Sequence, residues 1–267
     1  SGNIVDIRRL ADLAHAHGLP LIVDNTVPSP FVLKPIEHGA DIVIHAATKY
    51  IGGHGTSIGG LIVDSGKFPW AEHAERFSLL TTPDVSYHGV NYAKDVGEAA
   101  FITRARVVPL RNMGAAMSAF NAFLFLQGLE TLALRMERHC QNAQLVAEML
   151  QSLPKVERVN YLGLPEHPDF ELAQQQMQGP GGMISFELQG GLEAGKAFMN
   201  KLQFCTLTPT LGDVDTLVLH PATMSHRAIA PEVRRAHGIS DGLVRISVGI
   251  EDIEAIIADV SQALDKA

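Results

Sequence analysis

DIVIHAATKYIGGHG, residues Asp41 to Gly55, is the stretch on which the fold turns. Its first part, Ile42-Val43-Ile44, is a short β-branched run, the pattern of a strand buried on both faces of a parallel sheet. Its second part is a loop of small residues and glycines that holds one lysine, Lys49. Working outward, Leu21-Ile22-Val23 and Leu61-Ile62-Val63 are two more runs of the same kind, the latter flanked by Gly59-Gly60 and Gly66. Asp6 is placed as a helix N-cap ahead of Ile7, Leu10, Leu13 and Ala14, which share one helical face. Gly18 stands where the end of that helix favours a left-handed residue. Strands alternating with helices predict an α/β fold with a parallel sheet. Ligands of such sheets gather at the carboxyl ends of the strands. Asp24 ends the first strand, and Ala46 to Lys49 follow the second.

Farther along, Leu132, Met136, Cys140, Ala143, Val146 and Leu150 step by three and four residues, an apolar helical stripe that Pro154 ends. The remainder has an α+β pattern. Strands are expected near Val156–Tyr161, Met183–Leu188 and Leu243–Val248, with helices near Leu192–Leu202 and Asp252–Leu264. The pattern divides the chain into residues 1–120, part of a sheet domain, and residues 121–267, a connecting helix and a smaller α+β domain.

Of 267 residues, 21 are Lys or Arg and 29 are Asp or Glu, a formal charge of −8. A nucleic-acid binder usually carries a basic stripe, so that class is disfavoured. The uncharged stretch from Asn112 to Leu129 comes nearest to a membrane span, but Asn112, Gly114, Ser118, Asn121, Gln127 and Gly128 interrupt it, and a buried helix is expected there instead. Two cysteines, Cys140 and Cys205, supply no disulfide framework and no Cys-based zinc site, which points to a reducing cytoplasm. The twelve histidines are scattered without metal-ligand spacing, so no metal is expected. The chain opens at Ser1-Gly2-Asn3 without a methionine and enters a helix almost at once, as expected of a piece of something longer.

Lys49 is the leading chemical candidate. Partial burial among small residues lowers a lysine's pKa and makes the amine nucleophilic, the requirement of a Schiff-base lysine. The bland alternative is a surface lysine in a loop. Asp24 closes an apolar strand, where it serves as a helix cap, an ion-pair member, or a partner for a cofactor's pyridinium nitrogen. Thr48 offers a hydroxyl and a backbone N–H to a phosphate. Arg245, inside Leu243-Val244-Arg245-Ile246-Ser247-Val248, suits either a bidentate grip on a carboxylate or a structural ion pair. No G-x-S-x-G elbow and no G-x-x-x-x-G-K loop is present, which removes support for serine-hydrolase and nucleotide-hydrolase readings.

Taken together, these residues resemble the pyridoxal-phosphate enzymes of cysteine and methionine metabolism. The family's signature around its Schiff-base lysine matches Asp41 through Gly55, and VDNT at Val23–Thr26 resembles its pyridinium-binding segment. GPGGMISFEL (179–188), HPATMSHR (220–227) and LVRISVGIED (243–252) resemble its C-terminal domain, the last holding the substrate-carboxylate arginine. Within the family, TKYIGGHG, YHG at 87–89 and LQGLETLALRMERHCQNA (126–143) are most similar to the O-acetylhomoserine sulfhydrylase branch.

The resemblance implies the aspartate aminotransferase-like fold (fold type I) and pyridoxal 5'-phosphate bound by Lys49, Asp24 and Thr48. It implies Arg245 and Thr210 on the substrate, and a homotetramer built from dimers. It implies a transferase acting on an amino-acid ester with sulfide or a thiol. Rivals inside the family are a γ-lyase, a cystathionine γ-synthase and an O-succinylhomoserine sulfhydrylase. Rivals outside it are a non-catalytic fragment and a cofactor-free Schiff-base enzyme. The family's N-terminal section, with its phosphate loop, has no counterpart here. Two positions depart from the pattern. Ala46 stands where relatives carry a phosphate-binding Ser, and Thr210 stands where they usually carry Ser.

Overall fold

A computed structural model describes residues 2–267. Helix α1 (Ile7–Ala16) starts at Asp6, whose carboxylate accepts from the Arg9 amide at 3.0 Å, and ends before Gly18 with φ +64°. It buries Ile7 against Leu33, Ala40 and Val43, and buries Ala11 as well. Leu10 and Leu13 are exposed, so the buried row is narrower than the predicted face and rotated from it.

Strands β1 (Ile22–Asp24), β2 (Ile42–Ala46) and β3 (Gly60–Asp64) form one sheet in that order. β1 and β2 are parallel, as expected, in the register Asp24↔Ile44. β3 is antiparallel to β2, against expectation. The link between them, residues 47–59, holds turns and no crossover helix, and a parallel return needs such a crossover. The expected burial on both faces holds only in part and only in central β2, where Ile42 and Val43 are buried and Ile44 is exposed. The marginal strands leave Ile22, Leu61, Ile62 and Val63 exposed. Ile42 packs with Phe68, Trp70, Leu80 and Tyr92 in a core of its own.

The expected single buried helix over 112–129 is also corrected. A short helical segment, Arg111–Met113, stops at Gly114 with φ +72°. The chain restarts at Ser118, whose hydroxyl caps α2 (Ala119–Glu130). Only Phe125 and Gly128 of α2 are buried, while Phe120, Phe123 and Leu126 face outward.

The long α3 (Leu132–Ser152) divides the predicted stripe: Leu132, Met136 and Cys140 pack with Val32 and Tyr50, and Ala143, Val146 and Leu150 enter the core of the second half. There Val146 and Leu150 meet Ile184, Phe186, Val244 and Ile246 of a five-stranded sheet, in the order β4 (Val156–Asn160), β5 (Met183–Leu188), β8 (Leu243–Ser247), β7 (Leu217–Leu219), β6 (Thr206–Leu207). Helices α4 (Phe170–Gln176), α5 (Gly191–Lys201) and α6 (Ile253–Asp265) complete this half, α5 and α6 covering one face of the sheet. β6 and β7 escaped prediction because runs of two and three residues carry no readable period. No described helix is long and apolar enough to cross a membrane.

Candidate active site

Hydrogen bonds stitch the carboxyl edge of the first sheet, among them that from the Asn25 amide to the Ile44 carbonyl at 2.9 Å. The Ala46 amide donates to Thr26 Oγ1 at 2.7 Å, tying the segment after β1 to the end of β2. Asp24 ends β1 with an exposed carboxylate, and one of its oxygens accepts from the Thr26 amide at 3.0 Å. Directly after β2 the chain winds into a turn. The Lys49 amide donates to the Ala46 carbonyl (3.1 Å), the Gly52 amide to Ala47 (2.8 Å) and the Gly53 amide to Lys49 (2.8 Å). Thr48 closes the loop that follows. Its hydroxyl accepts from the Gly59 amide (3.1 Å) and donates to the Gly59 carbonyl (3.3 Å).

The second half of the chain reaches this turn through residues 209–214. Lys49 Nζ lies 2.6 Å from Thr210 Oγ1. Arg245 Nη2 donates to the carbonyls of Thr210 (2.7 Å) and Pro209 (3.1 Å). Thr210 therefore has its hydroxyl on the amine and its carbonyl on the guanidinium. Gly212 (φ +80°) lies flat on the lysine turn, and a Cβ there would stand 2.7 Å from the Tyr50 amide nitrogen. Its own amide donates to Ser247 Oγ at 2.9 Å, and the Val214 amide donates to the Gly53 carbonyl at 2.9 Å.

Of the predicted residues, Lys49, Thr210 and Arg245 thus form one hydrogen-bonded set. Asp24 sits on the neighbouring strand end, and Thr48 braces the loop. Arg245 forms no ion pair among the described residues. Its bonds run to backbone carbonyls, and its Nε is buried without a partner. Loss of solvation, and then the nearby Arg245 charge, lowers the pKa of the Lys49 amine below the ordinary lysine value. Burial pushes the Tyr50 phenol up to about 12, so it stays protonated. Burial also lowers the pKa of His45, beside Asp24.

This donor set suits a flat electrophile bearing a basic ring nitrogen. The half-buried amine of reduced basicity can bond covalently to it, and the open oxygen of Asp24 can pair with the ring nitrogen. Sequence reasoning missed Gly212 and Ser247, which touch the lysine turn only through tertiary contact. It also missed Arg135, on α3, whose guanidinium lies under that turn. A signal for Arg135 exists: with His139 and Asn142 it makes a second stripe at helical spacing beside the apolar one.

Comparison with known proteins gives a consistent picture. The family model described as Cys/Met metabolism PLP-dependent enzyme matches residues 1–265. The O-acetyl-L-homoserine sulfhydrylase of Leptospira meyeri is 43% identical over 97% of this chain and 61% of its own length. The L-methionine gamma-lyase of Porphyromonas gingivalis is 44% identical over 98% of this chain and 58% of its own. A solved structure from Campylobacter jejuni, which carries an N'-pyridoxyl-lysine-5'-monophosphate, superposes with a TM-score of 0.91 at 35% identity, over 98% of this chain and 63% of that one. The chain therefore spans about 60% of the length of the relatives it matches. With its fold, its lysine turn and these similarities in agreement, the chain belongs to the Cys/Met metabolism family of pyridoxal-phosphate-dependent enzymes.

Proposed function

We propose that the protein catalyses γ-replacement on O-acetyl-L-homoserine with sulfide or a thiol, releasing acetate and forming homocysteine or methionine. The observation that carries this is the placement of Thr210 between the Lys49 amine and the Arg245 guanidinium. It sets a proton-accepting group and a carboxylate-gripping group on either side of one residue, the arrangement an α-amino acid needs. Pyridoxal phosphate, held by Lys49 and paired through Asp24, supplies an electron sink for the substrate's α-carbon. Arg245 orients the substrate carboxylate, giving up its carbonyl partners for a charged one. The Lys49 amine, once free, would remove the α-proton. Its lowered pKa keeps the free amine in the basic form nearer neutral pH. Thr210 Oγ1 steadies the amine through this exchange. Loss of a β-proton would then let acetate leave the γ-carbon with the bonding pair; sulfide or thiol would add there with loss of its own proton, and the protons taken from the β- and α-carbons would return to them.

The same reading makes the enzyme a cytoplasmic transferase and residues 1–120 and 121–267 its two units. It also makes the protein a homotetramer built from dimers, which the outward-facing Phe120, Phe123 and Leu126 of α2 support. The similarity to an L-methionine gamma-lyase favours one second reading, γ-elimination without an acceptor. Release of the acyl leaving group (acetate or succinate) and of 2-oxobutyrate is to be measured from O-acetyl- and O-succinyl-homoserine, with and without sulfide. Sulfide-dependent acetate release with little 2-oxobutyrate is expected. Sulfide-independent 2-oxobutyrate release, or a preference for the succinyl ester, would overturn the assignment.

A further inference from the structure

Arg135, His139 and Asn142 lie at i, i+4 and i+7 on α3, and all three are buried. Each donates only to main-chain groups or a neighbouring hydroxyl. Arg135 Nη1 donates to the Tyr50 carbonyl (2.7 Å). Its Nη2 donates to those of Ile51 (3.2 Å) and Gly128 (2.7 Å), and its Nε to Thr131 Oγ1 (3.1 Å). Tyr50 and Ile51 are the two residues after Lys49. Gly53, with φ +73°, leaves the room this guanidinium fills, since a Cβ there would collide with Nη1.

One helical turn on, the His139 ring bonds through Nδ1 to the Val248 carbonyl at 2.7 Å, so Nδ1 carries the proton. The ring stands edge-on to Tyr50, 5.1 Å between centroids. Asn142 Nδ2 donates to the carbonyls of Gly249 (3.1 Å) and Glu251 (3.0 Å). These three acceptors follow directly on β8, the strand that carries Arg245. One rigid helix therefore holds the backbone after the lysine at one end and the backbone after the arginine at the other.

Filling this space needs no charge, and burying a guanidinium with no carboxylate in contact, the Asp213 charge helping only from a distance, is costly. What an apolar residue cannot do is fork onto the carbonyls of two successive residues. We infer that this polar stripe sets the separation between Lys49 and Arg245, with Arg135 a positioning residue for the proton-transferring amine and His139 one for the carboxylate grip. The inference rests on the roles given above to Lys49 and Arg245.

The test uses the holoenzyme. His139→Leu deprives the Val248 carbonyl of its donor. It is expected to raise KM for O-acetylhomoserine about tenfold and to leave kcat within about twofold. The dissociation constant of L-norleucine, an amino acid without a γ leaving group, read from the cofactor's absorbance, should rise by the same factor. His139→Asn, with an amide N–H at the same reach, restores both constants. Arg135→Lys keeps the charge and loses the fork. It is expected to lower kcat about tenfold with KM held, and to move the pH midpoint of the cofactor's visible band. Should Arg135→Lys not fold, Thr131→Val removes the acceptor of Nε together with the long 3.4 Å bond from that hydroxyl to the Gly128 carbonyl, and a fall in kcat at constant KM is expected on a smaller scale. Equal changes in kcat and KM across the variants, or a lowered Tm with both constants unmoved, overturns the inference. Borohydride trapping on each variant separates the two levels. An adduct away from Lys49 refutes the site assignment, whereas an adduct on Lys49 without the KM-against-kcat split refutes the stripe alone.

Discussion

At the scale of single residues, the state of Lys49 is set by its neighbours. Arg245 disfavours the charged amine, so removing that charge must raise the lysine's pKa. In cofactor-free protein, Arg245→Met is expected to move the midpoint of Lys49 labelling by an amine reagent to higher pH, as followed by peptide mass. An unchanged or lower midpoint would show that the two groups do not interact. Ala46 makes a second residue-scale prediction. Restoring the hydroxyl with Ala46→Ser adds one hydrogen bond to a charged group, worth roughly 1.5–3 kcal/mol. Cofactor binding measured by fluorescence should tighten by at least about tenfold.

Lys49, Asp24 and Arg245 were legible in the sequence because each breaks its surroundings: a lysine among glycines, and charges at the end of, or inside, apolar strands. The bond from Thr210 to Lys49 was not legible. It spans 161 positions and depends on how the 209–214 loop lands.

At the scale of elements, packing explains both the successes and the misses. The apolar stripe of α3 was plain, since one face repeats over five turns. The polar stripe beside it was hidden, because isolated polar residues on a helix ordinarily point to solvent. The direction of β3 was missed because apolar runs show burial and not polarity of the chain, and the length of the 47–59 link was the only clue.

Two predictions belong here. Gly128 lets α2 approach the lysine turn, and a Cβ would press into the Ile51 carbonyl and stand 2.6 Å from that of Gly52. Gly128→Ala should therefore cost about 1–3 kcal/mol in urea unfolding and lower kcat. His139 supplies a pH dependence. Burial takes its pKa to about 4 from an ordinary 6.5, so below pH 6.5 the unfolded chain binds a proton that the native one refuses. The stability linked to it is complete above pH 6.5, declines as pH falls towards 4, and amounts at most to about 3 kcal/mol. Urea unfolding should show this decline in the parent and a flatter profile in His139→Asn.

At the scale of the whole molecule, the two halves of the chain are joined by an apolar cluster of Val32, Tyr50, Leu132 and Met136 and by specific hydrogen bonds. The Gln178 amide meets the Val32 carbonyl at 2.8 Å, the Ile4 amide meets Asp169 at 3.1 Å, and Lys49 meets Thr210. The change of pattern between the halves could be read from the sequence. The exposure of α2 could not, because a run as apolar as Asn112–Leu129 looks the same whether it faces a core or a partner. If α2 is a subunit contact, Phe123→Glu should shift the sedimenting species to smaller assemblies, and an unaltered distribution would remove α2 from the interface.

The central claim is that the cofactor is carried on Lys49, and borohydride reduction of the coloured enzyme followed by peptide mapping tests it most directly. A pyridoxyl phosphate mass is expected on the peptide containing Lys49, and in Lys49→Ala no such adduct and a kcat lower by at least about a thousandfold. An adduct on another lysine, or full turnover by Lys49→Ala, would contradict it.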